Sequence, residues 1–441
     1  MILKHPILTK LFFCIFLLFL QTPALFSKDA PSPQPFDLSS LKQDLLQILK
    51  TYTMNKPGEP FTDNKIPGAS ASIRYLKRNE PGDGVHFNLV NGYSNPHVQS
   101  SDCPTCPIPL QEDMIFEIGS STKALTAACI LLYMQEGVEL NGGALTLDSV
   151  LYQYLPAITN DRINGSATTR QIMNMTAGIP EFQLGTHGDA PSTQPIVETG
   201  SPKAPTSPAR FWTQENVYAV VGYPTTVPGQ KWSYCNTNYV ILGQYLQGLN
   251  NYVNIAGVYN AKLFDPYGLD NIYMAAFEPI PANETWAIGW TGSGDNSLET
   301  SRTAFYSAYW SAGAMIGRAE DLAHFALLMW SPDQSIIKKP LYDEMMKMVP
   351  FQNAYAPVDG IQWNGYGLGT MRVTVESPQY GTVELFGHNG QTGGYLTASF
   401  YLHKREVAFS VIFNGGGSLS NKTMVELERD FTYALLKYAR P

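Results

Sequence analysis

Gly119-Ser120-Ser121-Thr122-Lys123 opens a long apolar run that continues through Met134. A helix starting at Ser120 places Lys123 one turn further along the same face, where its amine reaches the serine hydroxyl. Free serine is a poor nucleophile, but an adjacent amine can take its proton once desolvation has lowered the lysine pKa. The positive end of the helix dipole beside Ser120 favours a developing alkoxide, and nearby backbone N–H groups can hold an oxyanion. Counting from Ser121 puts Ala124 where the lysine is needed, so Ser120 is the one nucleophile candidate of this stretch. The competing reading is structural, with Ser120 an ordinary helix cap and Lys123 solvated in the first turn. Companions elsewhere in the chain decide between the two.

Two further stretches are candidates. In Pro228-Gly229-Gln230-Lys231-Trp232-Ser233-Tyr234-Cys235-Asn236-Thr237-Asn238-Tyr239, a loop leads into an apolar helix. Tyr234 there offers a phenolate or a proton-relaying hydroxyl, and Asn236 an amide for a substrate, because residues two apart in an extended loop can share a cleft. Packing and turn formation are the ordinary alternative for both. In Gly387-His388-Asn389-Gly390-Gln391-Thr392-Gly393-Gly394-Tyr395, between two strand-like runs, the glycines allow a backbone to approach a substrate closely. A strand N–H there is a candidate second oxyanion donor; a glycine-rich turn with a structural His388 is the alternative.

The 441-residue chain is 44% hydrophobic, enough for one large core or two smaller ones. A formal net charge of −8 without a Lys/Arg-rich run argues against a nucleic-acid partner and for a neutral or small polar substrate. Lys4 and Lys10 precede an apolar run from Leu11 to Leu20, with small residues at Ala24 and Ser27, the pattern of an export signal covering 1–27. That run is shorter than the ~20 residues of a spanning helix, so no stable membrane span is expected after cleavage. Cys14 leaves with the signal, Cys103 and Cys106 suit a local disulfide in an exported chain, Cys129 reads as core, and no second Cys or His pair completes a zinc site.

Along the chain, an amphipathic helix is expected over Leu38 to Thr51, then strands at Ala69 to Leu76 and His86 to Asn91. From Ser120 to Ala312 the pattern is mostly helical, with a Pro/Thr/Ser-rich stretch from Gly185 to Arg210 that reads as a mobile surface loop. A helix at Arg318 to Trp330 precedes strand-like runs at Tyr366 to Val375, Thr382 to Phe386, Leu396 to Leu402 and Val407 to Phe413, and a final helix covers Asn421 to Tyr438. Strands at both ends with helices between them predict an α+β fold in which one sheet is assembled from segments distant in sequence. The expected division is a sheet part over about 36–119 and 313–441 and a helical part over about 120–312, within one unit from residue 28 to 441.

Ser-x-x-Lys, then Tyr-x-Asn, then His-x-Gly before a late strand is an order that resembles the serine β-lactamase and penicillin-binding protein family, in the branch of class C β-lactamases, D-alanyl-D-alanine carboxypeptidases and related esterases. Phe116-Glu117-Ile118-Gly119, Thr169 to Pro180, Ser311 to Met315 and Ala319 to Ala323 are also similar to family segments. The resemblance runs from about Pro67 to the end and implies a β-lactamase/transpeptidase-like fold, an antiparallel sheet flanked by helices.

It also implies roles. Ser120 is then the acylated nucleophile, Lys123 its partner, and Tyr234 the general base that also protonates the leaving group. Asn236 touches the acyl amide, His388-Asn389-Gly390 replaces a Lys-Thr-Gly box, and the N–H groups of Ser120 and Gln391 form the oxyanion hole. No metal or organic cofactor is needed. Histidine in place of the box lysine is mostly neutral at pH 7 and attracts a substrate carboxylate less, which disfavours efficient β-lactam hydrolysis. Cys235 stands where the family has a small residue and is expected to line the pocket. The leading expectation is an exported D-alanyl-D-alanine carboxypeptidase or penicillin-binding protein acting on a D-Ala-D-Ala peptide. An esterase or weak β-lactamase is the alternative, with Trp290, Phe305, Tyr306 and Tyr309 as candidate walls of an acyl pocket, and a catalytically silent binding protein is the non-enzymatic one.

Overall fold

The computed structural model describes residues 33–60, 62, 65–76, 83–97, 105–184, 211–249, 254–291, 296–297, 302–351, 359–416 and 421–440. The expected signal segment, the stretch from Gly185 to Arg210 and Cys103 lie outside the described residues. Cys106 is disulfide-bonded.

The strand Gly68–Leu76 illustrates how the sheet is built. Ala69, Ala71, Ile73 and Tyr75 belong to one buried cluster, while the alternate residues Ser70, Ser72 and Arg74 face the other way, as the two-residue period of a strand requires. Both faces are covered, and all nine residues are buried. On the first face lie the helices Leu38–Tyr52 and Asn421–Lys437. The former buries Leu41, Leu45, Leu49 and Tyr52, one helical stripe, and starts where the Asp37 carboxylate accepts from the Ser39 and Ser40 amides at 2.9 and 3.2 Å. On the second face lies the helix Ala319–Trp330: Arg74 pairs with Glu320 at 3.1 Å, and Ser399 donates to the Leu322 carbonyl at 3.1 Å.

Gly68–Leu76 pairs antiparallel with Val407–Phe413 on one side and Asp83–Asn95 on the other, Ala69 opposite Phe413 and Tyr75 opposite Val407. Strands Leu396–Leu402, Gly381–Gln391, Met371–Ser377 and Ile361–Tyr366 continue the sheet outward, with two-residue strands at Ile108–Pro109 and Val349–Pro350 on its edges. The fold is α+β, and its sheet joins segments from opposite ends of the chain. Between them, among the described residues, run helices, turns and strands of only two or three residues, centred on Thr122–Gln135 and Asn236–Gly248.

One expectation is corrected, and one alternative falls away. Tyr366 to Val375 is not one strand: Ile361–Tyr366 and Met371–Ser377 form a hairpin that turns at Gly367-Leu368-Gly369-Thr370, where the Gly367 amide donates to the Thr370 carbonyl at 2.7 Å. Nor is the stretch around His388 a turn. It is the end of the strand Gly381–Gln391, held by pairing of His388 with Ser399 and Gln391 with Leu396.

Candidate active site

Phe116–Glu117 is a short strand that delivers the chain into a 3-10 turn, Gly119–Ser121, on the head of the helix Thr122–Gln135. That helix is buried around its whole circumference as far as Tyr133, so its N-terminal turn is fixed from all sides. The end of the strand Gly381–Gln391 crosses directly over this turn. A Cβ on Gly119, whose φ is +50°, would lie 2.8 Å from the Gln391 nitrogen, and one on Gly390 would lie 2.0 Å from the Ile118 carbonyl oxygen. Only glycine permits that approach, and it brings the backbones of Ser120 and Gln391 to one cavity.

Lys123 follows Ser120 by one turn and is wholly buried. Its Nζ lies 2.9 Å from Ser120 Oγ, 2.6 Å from Asn236 Oδ1 and 2.7 Å from the Ala312 carbonyl oxygen. The last two partners can only accept, so they orient two of its hydrogens. The third position faces a hydroxyl that can accept from an ammonium or donate to a neutral amine. Burial pushes Lys123 down to about 7, against the opposing pull of Glu181. Glu181 is itself raised by burial, offset by N–H groups of Asn236 and Gln183 and by Lys123.

Tyr234 completes the group. Its hydroxyl is hydrogen-bonded with Ser120, and the Lys123 nitrogen sits 4.9 Å from its ring centre. Burial drives the phenol well above its ordinary value, so the resting side chain is a neutral donor and not a phenolate.

Ser120 and Tyr234 open on a cavity of about 240 Å³, together with Asn389, Gly390 and Gln391. Trp232, Phe351, Trp363, Met371, Leu396 and Met424 supply its apolar wall, and Trp232 and Phe351 pack with ring centres 4.1 Å apart. None of these described lining residues carries a charge.

Several residues singled out in the sequence sit elsewhere. Asn236 does not open on the cavity: its Oδ1 accepts from Lys123 and its Nδ2 donates to Gln183 Oε1 at 2.9 Å, so its amide orients the lysine. His388 is completely buried behind the cavity wall, with Nε2 3.0 Å from the Tyr366 hydroxyl and Nδ1 2.6 Å from the Asn389 carbonyl oxygen. Burial and the charge of Lys123 push it down to about 3, so it presents no cation to a substrate. Cys235 points into the core and donates to the Ile179 carbonyl at 3.2 Å. Trp290, Phe305, Tyr306 and Tyr309 are core or buried-network residues and not cavity walls; Trp290 donates to the Ser94 carbonyl and Tyr306 to Glu117.

Glu181 and Gln183, which hold Asn236 and the charge of Lys123, were missed. Glu181 had a signal, an acid directly after the apolar Ala177-Gly178-Ile179-Pro180. Trp363, Phe351 and Met424 had none, because they converge from separate elements and each reads as core by itself.

Among the described residues no group of three His, Cys, Asp or Glu side chains is placed to hold a metal ion, and no helix is long and apolar enough to cross a membrane. Against solved structures, the fold is similar to D-amino acid amidase from Ochrobactrum anthropi SV3 (TM-score 0.67, 20% identity, 90% of this chain and 98% of that one). It is also similar to a D-stereospecific amidohydrolase from Streptomyces sp. (TM-score 0.62, 20% identity, 89% and 98%). A third is the octameric penicillin-binding protein homologue from Pyrococcus abyssi (TM-score 0.64, 20% identity, 91% and 77%). In sequence, penicillin-binding protein 4* of Bacillus subtilis (strain 168) is 22% identical over 347 residues, which cover 75% of this chain and 65% of that protein. The Beta-lactamase family profile matches residues 79–431, a span that contains the serine, lysine, tyrosine and cavity strand described above, and the chain therefore belongs to that family of serine hydrolases.

Proposed function

We propose that the chain is an exported hydrolase that cleaves small acyl amides or esters, of the D-amino-acyl class, through an acyl-enzyme on Ser120. The observation that carries this reading is the Lys123 nitrogen, held by two pure acceptors so that its third position meets Ser120 Oγ at 2.9 Å. As Ser120 Oγ bonds to the acyl carbon, the neutral Lys123 amine takes its proton. The N–H groups of Ser120 and Gln391 face the developing oxyanion. The leaving amine or alcohol takes a proton from the Tyr234 hydroxyl, which is resupplied by Lys123, and water reverses the sequence to free the acid.

The class of substrate is supported by the amidases among the structural neighbours and by the cavity. A D-alanyl-D-alanine carboxypeptidase would use the same chemistry but must hold a terminal carboxylate, and the described wall offers aromatic rings and an amide where a cation is wanted. Export rests on the residues Lys4 to Ser27 and is checked by the N-terminus of protein recovered outside the cytoplasm.

The test compares wild type with Ser120→Ala on a D-amino acid amide, a short acyl ester and a D-Ala-D-Ala peptide, with intact mass after exposure to penicillin. Ser120-dependent turnover of the amide or ester above the peptide is expected. Hydrolysis of all three at the same rates in Ser120→Ala would overturn the assignment, and a stronger rate on the peptide would restore the carboxypeptidase reading.

A further inference from the structure

Behind the cavity wall two side chains touch and each leaves one oxygen without a partner. Glu428, on the helix Asn421–Lys437, is completely buried one turn after the wall residue Met424. Its Oε2 accepts from Trp363 Nε1 at 3.2 Å, and its side chain is hydrogen-bonded with that of Asn389. Trp363 and Asn389 both line the cavity. Yet Glu428 Oε1 and Asn389 Oδ1 are each buried without a hydrogen-bond partner among the described residues. With an ionised carboxyl, both oxygens are acceptors and neither can serve the other, a cost that buried polar groups rarely bear.

One proton removes that cost. A protonated carboxyl has an O–H donor beside its carbonyl acceptor, and a primary amide offers the complement. The two side chains then close a ring of two hydrogen bonds, Asn389 N–H to the acid and Glu428 O–H to Asn389 Oδ1. The surroundings favour the neutral form: burial pushes Glu428 up to about 8, opposed only by the hydrogen bonds from Trp363 and Asn389. The cations on the elements packed around it are engaged elsewhere. On its own helix Arg429 pairs with Asp430 at 2.9 Å, and Lys437 pairs at 2.8 Å with Asp44 of the helix Leu38–Tyr52. On the sheet Arg372 donates to Asn364 Oδ1 at 2.9 Å and faces Glu384 at 3.8 Å, and Arg405 donates to the Leu436 carbonyl at 2.7 Å.

We propose that Glu428 is a positioning residue that works as a neutral acid: its O–H holds the Asn389 amide, its carbonyl holds the Trp363 indole, and together they fix the cavity wall beside Ser120. This deepens the proposed function and rests on it. Ionisation undoes the arrangement. As pH rises through about 8 the proton passes to solvent, the donor towards Asn389 Oδ1 becomes an acceptor, and the two side chains repel. The wall then loosens, while Ser120 keeps its own hydrogen bonds with Lys123 and Tyr234. The loss therefore falls on substrate binding more than on the chemical step.

The experiment follows hydrolysis of p-nitrophenyl phenylacetate, an ester without a titrating group, from about pH 7 to about pH 9.5, with the rate of Ser120→Ala subtracted. Wild-type KM should rise by about tenfold across that range, the scale of one buried hydrogen bond, while kcat stays within about threefold. Glu428→Gln reproduces the neutral acid, with a carbonyl for Trp363 and an N–H for Asn389 Oδ1. It should keep the wild-type KM of about pH 7 and hold it flat to about pH 9.5, whereas Glu428→Leu, which offers neither group, should start about tenfold higher. A flat wild-type KM overturns the inference and needs no variant to fold. So does a Glu428→Gln that keeps the wild-type rise, or one already impaired by about tenfold at pH 7, which would show that the charge is required. Infrared difference spectra, wild type minus Glu428→Gln, read the proton without turnover: a protonated carboxyl band at about pH 7 that is gone at about pH 9.5 is expected, and a carboxylate band at pH 7 overturns the inference. That failure beside Ser120-dependent turnover sinks this inference alone. Turnover that is equal in Ser120→Ala sinks the acyl-transfer reading, and the positioning role with it, whatever the infrared band shows.

Discussion

The hydroxyl of Tyr366 donates to His388 Nε2 at 3.0 Å, because the other ring nitrogen, 2.6 Å from the Asn389 carbonyl oxygen, must carry the proton. The ring is thus locked neutral in a sealed site and its folded pKa falls to about 3, below the ordinary value of 6.5. Between those values the unfolded chain binds a proton that the folded one refuses, so this contribution is whole above about pH 6.5 and is lost as pH falls towards 3. His388→Gln should flatten the fall in melting temperature between pH 7 and 4. Tyr366→Phe strands Nε2 and should cost ~1–3 kcal/mol at pH 7 by denaturant titration. A wild-type slope in the first variant, or wild-type stability in the second, would contradict the arrangement.

Lys123 sets the pH dependence of turnover. The amine must be neutral to take the serine proton, and burial places its pKa at about 7. The acylation rate on a short ester should therefore climb with pH through about 7 and level off above it. Lys123→Arg keeps the charge but cannot give up its proton, and should lose ~10²–10⁴-fold in kcat/KM. A flat profile from pH 5.5 to 8.5, or an active arginine variant, would assign the base elsewhere.

How much of this was legible beforehand follows from the physics of each element. The strands Leu396–Leu402 and Val407–Phe413 and the helix Leu38–Tyr52 came out close to their observed bounds because apolar runs and stripes are local signals. The hairpin at Gly367 to Thr370 makes no break in the apolar pattern, since Leu368 continues it and the turn shows only in its glycines. In the site, Ser120 and Lys123 were readable because their contact is within one helical turn. The role of Asn236 was not: whether an amide faces substrate or lysine depends on Glu181 and Gln183, which only the tertiary fold brings against it. The neutral state of His388 likewise depends on burial and on Tyr366, neither visible in His-x-Gly.

Gly119→Ala tests the closeness of strand and nucleophile turn. The added Cβ would stand 2.8 Å from the Gln391 nitrogen at a φ of +50°. The left-handed conformation costs about 1–2 kcal/mol for a residue other than glycine, and the displaced Gln391 N–H removes one oxyanion donor. Turnover of the ester should fall ~10²–10³-fold while the protein remains folded at 25 °C. A variant with wild-type kcat would show that the Gln391 amide is not at the reacting oxygen.

Glu117 and Arg302 hold the approach to the same turn from behind. Arg302 Nε and Nη2 each donate to a separate Glu117 oxygen at 3.0 Å, and the Tyr306 hydroxyl adds a third bond at 2.7 Å. Glu117 is almost wholly buried, three residues before the nucleophile, in a strand that pairs with Ile316. Arg302→Met leaves its carboxylate uncompensated and should destabilise the protein by ~3–5 kcal/mol. Because the strain falls on Ile118 and Gly119, ester turnover should drop as well. Adding Glu117→Gln to Arg302→Met removes the stranded charge and should recover most of the lost stability, since the penalty lies in the unpaired ion more than in the missing attraction. Chemical denaturation of the two single variants and the double variant measures this directly. A double variant no more stable than Arg302→Met would place the role of Arg302 in packing alone.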